Sequence, residues 1–285
     1  MKYCGAHIST INGDIIKSIK EIEKYGGNMC QIFVTKHLHR NVTKITTEKL
    51  KEINKYIKKN KFKLVIHSSY MLNFAKIPIL HNNDNKKKIS WWVINLINEM
   101  KYASLMGAIG CVIHLGKHLD LTKKMALDNM LQSFTYVINN TPTNVLLIIE
   151  TSSGQGTELC FKLENLQKFY NMFSTKLKKR IGFCIDSCHI FAAGYDITTK
   201  NNITKYFNKF DKLIGINKIA LIHLNDSKKK LNSRVDRHEA IGKGKIGLNG
   251  LTHFVKYCFT LNLPIILETP KQNYKIEINL IKNMN

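Results

Sequence analysis

Short, nearly continuous apolar runs alternate with longer amphipathic stretches along the whole chain. The runs are YCGAHIS, MCQIFVT, FKLVIHSS, GCVIHLG, NVLLIIET, IGFCIDSCH, KIALIHLND and LPIILET, eight in all. Their length and β-branched content predict strands, and their near-continuous apolarity predicts burial on both faces, as in a parallel sheet. Between them, helical patterns cover residues 14–25, 47–59, 87–106, 121–139, 163–173, 203–214 and 248–261. Several of these stretches open on Asp, Thr or Asn and close near Gly or Asn, residues that satisfy the free backbone groups at helix ends.

Eight strand–helix units predict an α/β architecture, a single (β/α)8 TIM barrel filling residues 1–285 as one domain. Such a barrel typically takes about 250 residues, which leaves little chain for anything else. An open, doubly wound sheet is the alternative, but no glycine-rich phosphate loop follows the first run to support it. The chain has no Pro/Gly/Ser-rich hinge and no repeat of solenoid period.

The polar residues fall where the runs end. His67 ends the third, His114 the fourth, Glu150 the fifth, Asp186 and His189 the sixth, His223 the seventh and Glu268 the eighth. Ionisable groups in such apolar surroundings require partners or a metal ion. In a barrel these ends converge on one mouth, the face that carries active sites. A lone histidine at a strand end is usually structural; seven ionisable groups on six consecutive strands are not independent accidents. Imidazole and carboxylate donors together suit catalytic zinc, with manganese second.

The segment NSRVDRHEAIGKGKIG adds Asp236 and His238, whose D-x-H spacing points both side chains the same way in an extended loop. With His189 they make a second site of one carboxylate and two histidines. Gly242, Gly244 and Gly247 allow a tight loop at the mouth, and Lys243 and Lys245 are either phosphate contacts or plain surface residues.

Composition changes the picture in one respect. Lysine and arginine number 44 against 20 acidic residues, a net charge of +24 that favours a polyanionic partner, nucleic acid first. The chain is rich in Lys, Asn and Ile throughout, so charge alone does not decide the matter. The runs Lys86, Lys87, Lys88 and Lys228, Lys229, Lys230 read as solvated faces. The seven cysteines are odd in number, lack any CxxC pair and mostly sit in apolar runs, as buried reduced thiols do. No signal pattern opens the chain and no apolar run reaches bilayer length, which predicts a soluble, intracellular protein without a membrane partner, cytoplasmic or nuclear.

The strings GAHIS, CIDSCHIFAAGYD, HLNDS, SRVDRH, GKGKIG and LPIILET occur in an order and spacing that resemble the endonuclease IV family of apurinic/apyrimidinic endonucleases, from the N-terminus to about Thr269. The resemblance implies a TIM barrel with three zinc ions. It implies that His67, His114 and Glu150 bind the first, and that Glu150 bridges to a second completed by Asp186, His223 and Glu268. His189, Asp236 and His238 would hold the third. Glu150, Glu268 and Asp186 would carry catalysis.

The implied reaction is hydrolysis of the phosphodiester 5′ to an abasic site in double-stranded DNA, leaving a 3′-hydroxyl and a 5′-deoxyribose phosphate, together with trimming of 3′ ends by a monomer. Tyr70, Met71, Asn73, Arg40, Arg237 and Lys243 are the implied DNA contacts. This chain departs from the family pattern in FVTKHLHR, where a stretch with Asn and a DNA-entering Arg is usual, at Met71 in place of leucine, and at Lys243 in place of an acidic residue. Two rivals share parts of the pattern. A metal-dependent sugar isomerase or epimerase on a similar barrel needs one or two metals, and a non-catalytic DNA-binding barrel needs none of the ligand set.

Overall fold

The computed structural model describes residues 2–10, 13–35, 43–80, 89–270 and 273–284. Within them the chain forms β1 (Cys4–His7), β2 (Met29–Phe33), β3 (Lys63–His67), β4 (Gly110–Ile113), β5 (Leu146–Glu150), β6 (Ile181–Asp186), β7 (Ile219–Leu224), β8 (Asp226–Ser227), β9 (His238–Glu239) and β10 (Ile265–Leu267). The helices are α1 (Ile15–Lys24), α2 (Thr47–Lys59), α3 (Trp91–Met106), α4 (Lys123–Asn139), α5 (Leu163–Asn171), α6 (Thr175–Lys178), α7 (Ser187–Ala192), α8 (Lys200–Leu213), α9 (Gly247–Thr260) and α10 (Tyr274–Lys282).

Strands β1 to β7 and β10 close on themselves in the order β1-β10-β7-β6-β5-β4-β3-β2, and every pairing is parallel. The closure rules out the open doubly wound sheet. The eight predicted runs each supply one barrel strand. The two-residue strands β8 and β9 pair antiparallel just beyond β7.

Three local features differ from the sequence expectation. The run IGFCIDSCH does not continue as a strand to His189. It turns into α7 after Asp186, because the Asp186 side chain accepts the His189 backbone N–H at 2.7 Å and caps a new helix. The helix expected from residue 87 begins at Trp91, with residues 81–88 outside the described part. A last helix, α10, was not expected; Ile278 and Ile281 bury its apolar side, and the Tyr274 hydroxyl donates to the His7 carbonyl at 2.7 Å.

The strand period of two sorts the side chains. Met29, Val65, Val112, Ile148, Cys184, Leu221 and Ile266 fill the barrel interior as one buried cluster. Their neighbours in sequence point outward and pack beneath the helices in the larger core. Two residues further along, the same inward direction yields Gln31, His67, His114, Glu150, Asp186, His223 and Glu268. A fully buried aliphatic side chain stabilises the fold by roughly 1.5–3 kcal/mol. The apolar layer thus supports a polar layer that could not hold the mouth together alone. All seven cysteines are free and buried, and no helix among the described residues is long and apolar enough to cross a membrane.

Candidate metal centre

The barrel's C-terminal mouth collects the nine expected ligand residues. His67, Glu150 and Asp186 are the last residues of β3, β5 and β6; His114 and Glu268 follow β4 and β10 directly; His223 lies in β7. His189 sits in the first turn of α7, and Asp236 and His238 arrive through the segment that enters β9.

Glu150, 1% exposed, is the centre of this arrangement. Its Oε2 lies 3.3 Å from His67 Nε2 and 3.1 Å from His114 Nε2, while its Oε1 lies 2.9 Å from His223 Nδ1 and 3.4 Å from His189 Nδ1. Donor atoms converge within 4.8 Å in His67, Glu150 and His223, in Asp186, His189 and His238, and in Glu150, Asp186, His223 and Glu268. The last group is the second set that the family resemblance implied. The first set differs in that His223, rather than the more exposed His114, completes the tight trio, and Asp186 joins His189 and His238. Asp236 spans the latter pair, with Oδ2 at 3.2 Å from His189 Nε2 and Oδ1 at 3.2 Å from His238 Nε2.

Backbone and amide acceptors fix which nitrogen each ring turns toward the cluster. His67 Nδ1 faces the Ser68 carbonyl at 2.8 Å, His189 Nδ1 the Thr151 carbonyl at 2.8 Å, and His238 Nδ1 the Glu268 carbonyl at 2.9 Å. A carbonyl oxygen only accepts, so in each ring Nδ1 carries a proton and Nε2 is the nitrogen left facing the cluster. His223 is reversed: its Nε2–H donates to Gln31 Oε1 at 2.9 Å and Nδ1 faces the carboxylates. His189 Nε2 and His238 Nε2 are buried without a hydrogen-bond partner, although each has an Asp236 oxygen close by. Nitrogen and oxygen lone pairs at that range demand a proton or a cation between them. The residues therefore fit a bound divalent cation, with the second imidazole nitrogens already anchored.

The electrostatics agree with a cation site. Burial pushes the Glu150 carboxyl up, yet His114 and His223 outweigh it and hold the group well below the usual carboxylate range. Burial likewise acts to lower His238, but Asp186 and Asp236 hold it at about 9. Cys188 places its sulfur near Asp236 and His238, a neighbour the sequence reading did not foresee. Burial pushes that thiol up to about 12, and Sγ faces the Arg237 carbonyl at 3.7 Å, so it stays protonated.

Three further residues around the cluster escaped the sequence reading. Gln31 donates from Nε2 to Glu268 Oε1 at 2.7 Å, and His7 Nδ1 meets the same oxygen at 2.8 Å. Asn225 holds Asp186 from outside, donating from Nδ2 to Oδ2 at 2.8 Å. Period-two counting from Met29 reaches Gln31 and would have found it.

A cavity of about 580 Å³ opens over the cluster, lined among others by Tyr70, His114, His189, Asp236, Arg237 and Glu268. Tyr70 is 50% exposed, with its ring 5.3 Å from those of Phe33, His67 and His114; Met71 beside it is 40% exposed. Asn73 also lines the cavity, but its amide is used internally: Oδ1 accepts from Lys117 N and Ala75 N, and Nδ2 donates to the Lys117 carbonyl. Arg237 and Lys243 are exposed. Arg40 and the lysines at 86–88 lie outside the described residues.

The family described as the xylose isomerase-like TIM barrel matches residues 19–284. A putative endonuclease 4 of Acanthamoeba polyphaga mimivirus is 32% identical over 280 residues, covering 96% of this chain and 88% of the relative. A probable endonuclease 4 of Buchnera aphidicola subsp. Acyrthosiphon pisum is 35% identical over 273 residues, covering 94% of this chain and 93% of that one. The chain belongs to the endonuclease IV family of apurinic/apyrimidinic endonucleases. The endonuclease IV of Thermus thermophilus shares its fold, with a TM-score of 0.79 at 22% identity over 100% of this chain and 98% of that one. A barrel of this kind is also the architecture of sugar isomerases, as the family description says. What separates an endonuclease IV family member from them is full-length sequence similarity, and it makes this chain an enzyme acting on DNA.

Proposed function

We propose that the protein hydrolyses the phosphodiester immediately 5′ to abasic sites in duplex DNA, leaving a 3′-hydroxyl and a 5′-deoxyribose phosphate, with three zinc ions held at the barrel mouth. The observation that carries this reading is Glu150, whose Oε2 faces Nε2 of His67 and of His114 and whose Oε1 faces Nδ1 of His223, as a carboxylate shared between two cations would. His67 and His114 would hold one ion, Asp186, His223 and Glu268 the next, and His189, Asp236 and His238 the third. Bound zinc supplies a Lewis acid that acidifies water and clamps phosphodiester oxygens.

The chain's own residues do the rest. Glu150, Glu268 and Asp186 line up their carboxylates at the reacting phosphate. Tyr70 and Met71 enter the gap left by the missing base, where extrusion costs a few kcal/mol less than for an intact nucleotide. Arg237 and Lys243 meet flanking phosphates, and the net charge of +24 draws the duplex in. The same centre would trim blocked 3′ ends, since a terminal phosphodiester presents the same bond. We read residues 1–285 as one domain, acting as a monomer in the cytoplasm or nucleus.

The decisive experiment is incision of a duplex carrying one tetrahydrofuran abasic analogue. That analogue cannot undergo β-elimination, so a cut on its 5′ side leaving a 3′-hydroxyl requires hydrolysis. Activity should vanish on chelation and return with zinc, at about three ions per chain. Absence of incision by metal-loaded protein, together with turnover of an aldose or ketose, would assign it to the sugar isomerases instead.

A further inference from the structure

Beside the candidate ligand cluster lies a further buried carboxylate, Asp226, whose hydrogen bonds come from backbone N–H groups. Asp226, 0% exposed, accepts the backbone N–H groups of Ser227 at 2.8 Å, Gly244 at 2.9 Å, Ile246 at 2.9 Å and Gly247 at 3.2 Å. Gly244 and Ile246 belong to the loop that leads into α9 and Gly247 is the first residue of that helix, whose 14 residues have no side-chain acceptor at the N-cap position. Asp226, from a strand about 20 residues earlier, occupies the place of the cap and complements the positive end of the helix.

The loop is pressed onto β8 as closely as a backbone allows. Lys245 N donates to the Ser227 carbonyl at 2.7 Å, and a Cβ on Gly244 would fall 2.4 Å from that carbonyl and 2.5 Å from Asp226 Oδ1. Only glycine fits there. Ser227 pairs on its other side with His238 in β9. One short strand thus joins a candidate zinc ligand to the glycine loop. Two strand spacings, about 10 Å, separate the His238 backbone from that of Lys245.

With the loop's N–H groups turned inward onto Asp226, its charged side chains are outside. Lys243 and Lys245 are both exposed, and neither takes part in an ion pair among the described residues. Lys228, next to Ser227, lines the cavity on the same side. Resting on the DNA-incision reading above, we infer that Asp226 is a positioning residue. It holds Lys243 and Lys245 as a preformed pair of contacts for DNA backbone phosphates flanking the lesion. A loop fixed before binding loses little conformational entropy when the duplex arrives, which is how a buried carboxylate raises affinity without touching DNA.

The test is the salt dependence of binding, measured with the zinc-loaded full-length protein on a duplex with one tetrahydrofuran site. Each phosphate contact contributes about 0.9 to the slope of log affinity against log salt. The double substitution K243A/K245A should reduce that slope by about 1.8. The control K58A/K59A removes two exposed charges from the C-terminal end of α2, at the opposite end of the barrel, and should leave the slope unchanged. Asp226→Asn should weaken binding at fixed salt, with zinc content retained, and adding it to K243A/K245A should weaken binding no further.

An unchanged slope in K243A/K245A would overturn the inference, and so would an equal reduction in K58A/K59A. So would an Asp226→Asn protein that melts earlier but keeps the wild-type affinity, because that is a purely structural role. If Asp226→Asn fails to fold, the two lysine pairs still decide the question. Wild-type protein that binds no duplex at all would instead sink the DNA reading on which the inference stands.

Discussion

His223 turns Nδ1 toward Glu150, 2.9 Å away, because its other nitrogen is committed to Gln31, also at 2.9 Å. The same Gln31 amide donates to Glu268. A carboxylate only accepts, so the amide nitrogen must face Glu268 and the amide oxygen must face His223. One glutamine therefore sets the orientation of two candidate ligands of the second ion. Gln31→Leu would strand a buried imidazole N–H and free the His223 ring to turn. Zinc retention should weaken by about 10–100-fold, read by competition with a chromogenic chelator. Wild-type retention in this variant would show that the ring is held by packing alone.

Glu150 offers a sharper loss. Glu150→Gln keeps the shape but removes the charge shared among four imidazoles. Single-turnover incision should fall on the order of 10³-fold or more, as when a preorganised electrostatic group is removed from a reacting centre. Near-native turnover with zinc still bound would refute the bridging role.

A pH effect on stability is expected away from the metal site. Glu99 in α3 is fully buried, and burial pushes its carboxyl up to about 8, against which the Thr35 hydroxyl donates at 2.6 Å. Below the ordinary carboxylate value of 4.5 both folded and unfolded chains carry the proton. Between there and about 8 the unfolded chain ionises while the folded one does not, so folding stability declines across that window and levels off above it. Glu99→Gln removes the titration. Its urea midpoint should match wild type near pH 4.5 and exceed it at pH 8, by an amount on the order of a few kcal/mol in free energy. Parallel pH curves for the two proteins would contradict a neutral, buried Glu99.

Glu99 also illustrates what the residue pattern could and could not reveal. Strand runs and their terminal His, Asp and Glu were legible because burial on both faces leaves little room for polar residues except at the mouth. The barrel and seven of the nine candidate ligands follow from that contrast, while Asp236 and His238 were read from their D-x-H spacing in a loop. Gln31 was hidden because apolar Ile32, Phe33 and Val34 continue the run beyond it, so it does not mark an end. His7 was hidden inside a short first run for the same reason. The α7 turn depends on a hydrogen bond from His189 N to Asp186, and an Asp already read as a ligand did not announce itself as a cap. Asn73, read as a DNA contact, carries a structural role that periodicity did not show: its amide bonds the Lys117 backbone. Hydrogen-bond partners far apart in sequence are not encoded in periodicity.

Tyr70 is where recognition can be separated from chemistry. Its ring stands half exposed at the cavity rim, edge-on to Phe33 and His114, with an apolar flank free to fill space beside a base pair. Stacking of a base on an aromatic ring is worth about 1–3 kcal/mol by alanine substitution, or roughly 5- to 150-fold in affinity. Tyr70→Ala should therefore lower the preference for abasic over undamaged duplex by about tenfold or more, while Tyr70→Phe keeps it. Competition binding with both duplexes, at fixed salt and with zinc content checked, measures the ratio directly. The ratio matters more than either affinity, because loss of a phosphate contact weakens both duplexes alike, whereas loss of a wedge weakens only the damaged one. If Tyr70→Ala leaves the ratio intact, the ring is packing against the histidines and some other group enters the gap.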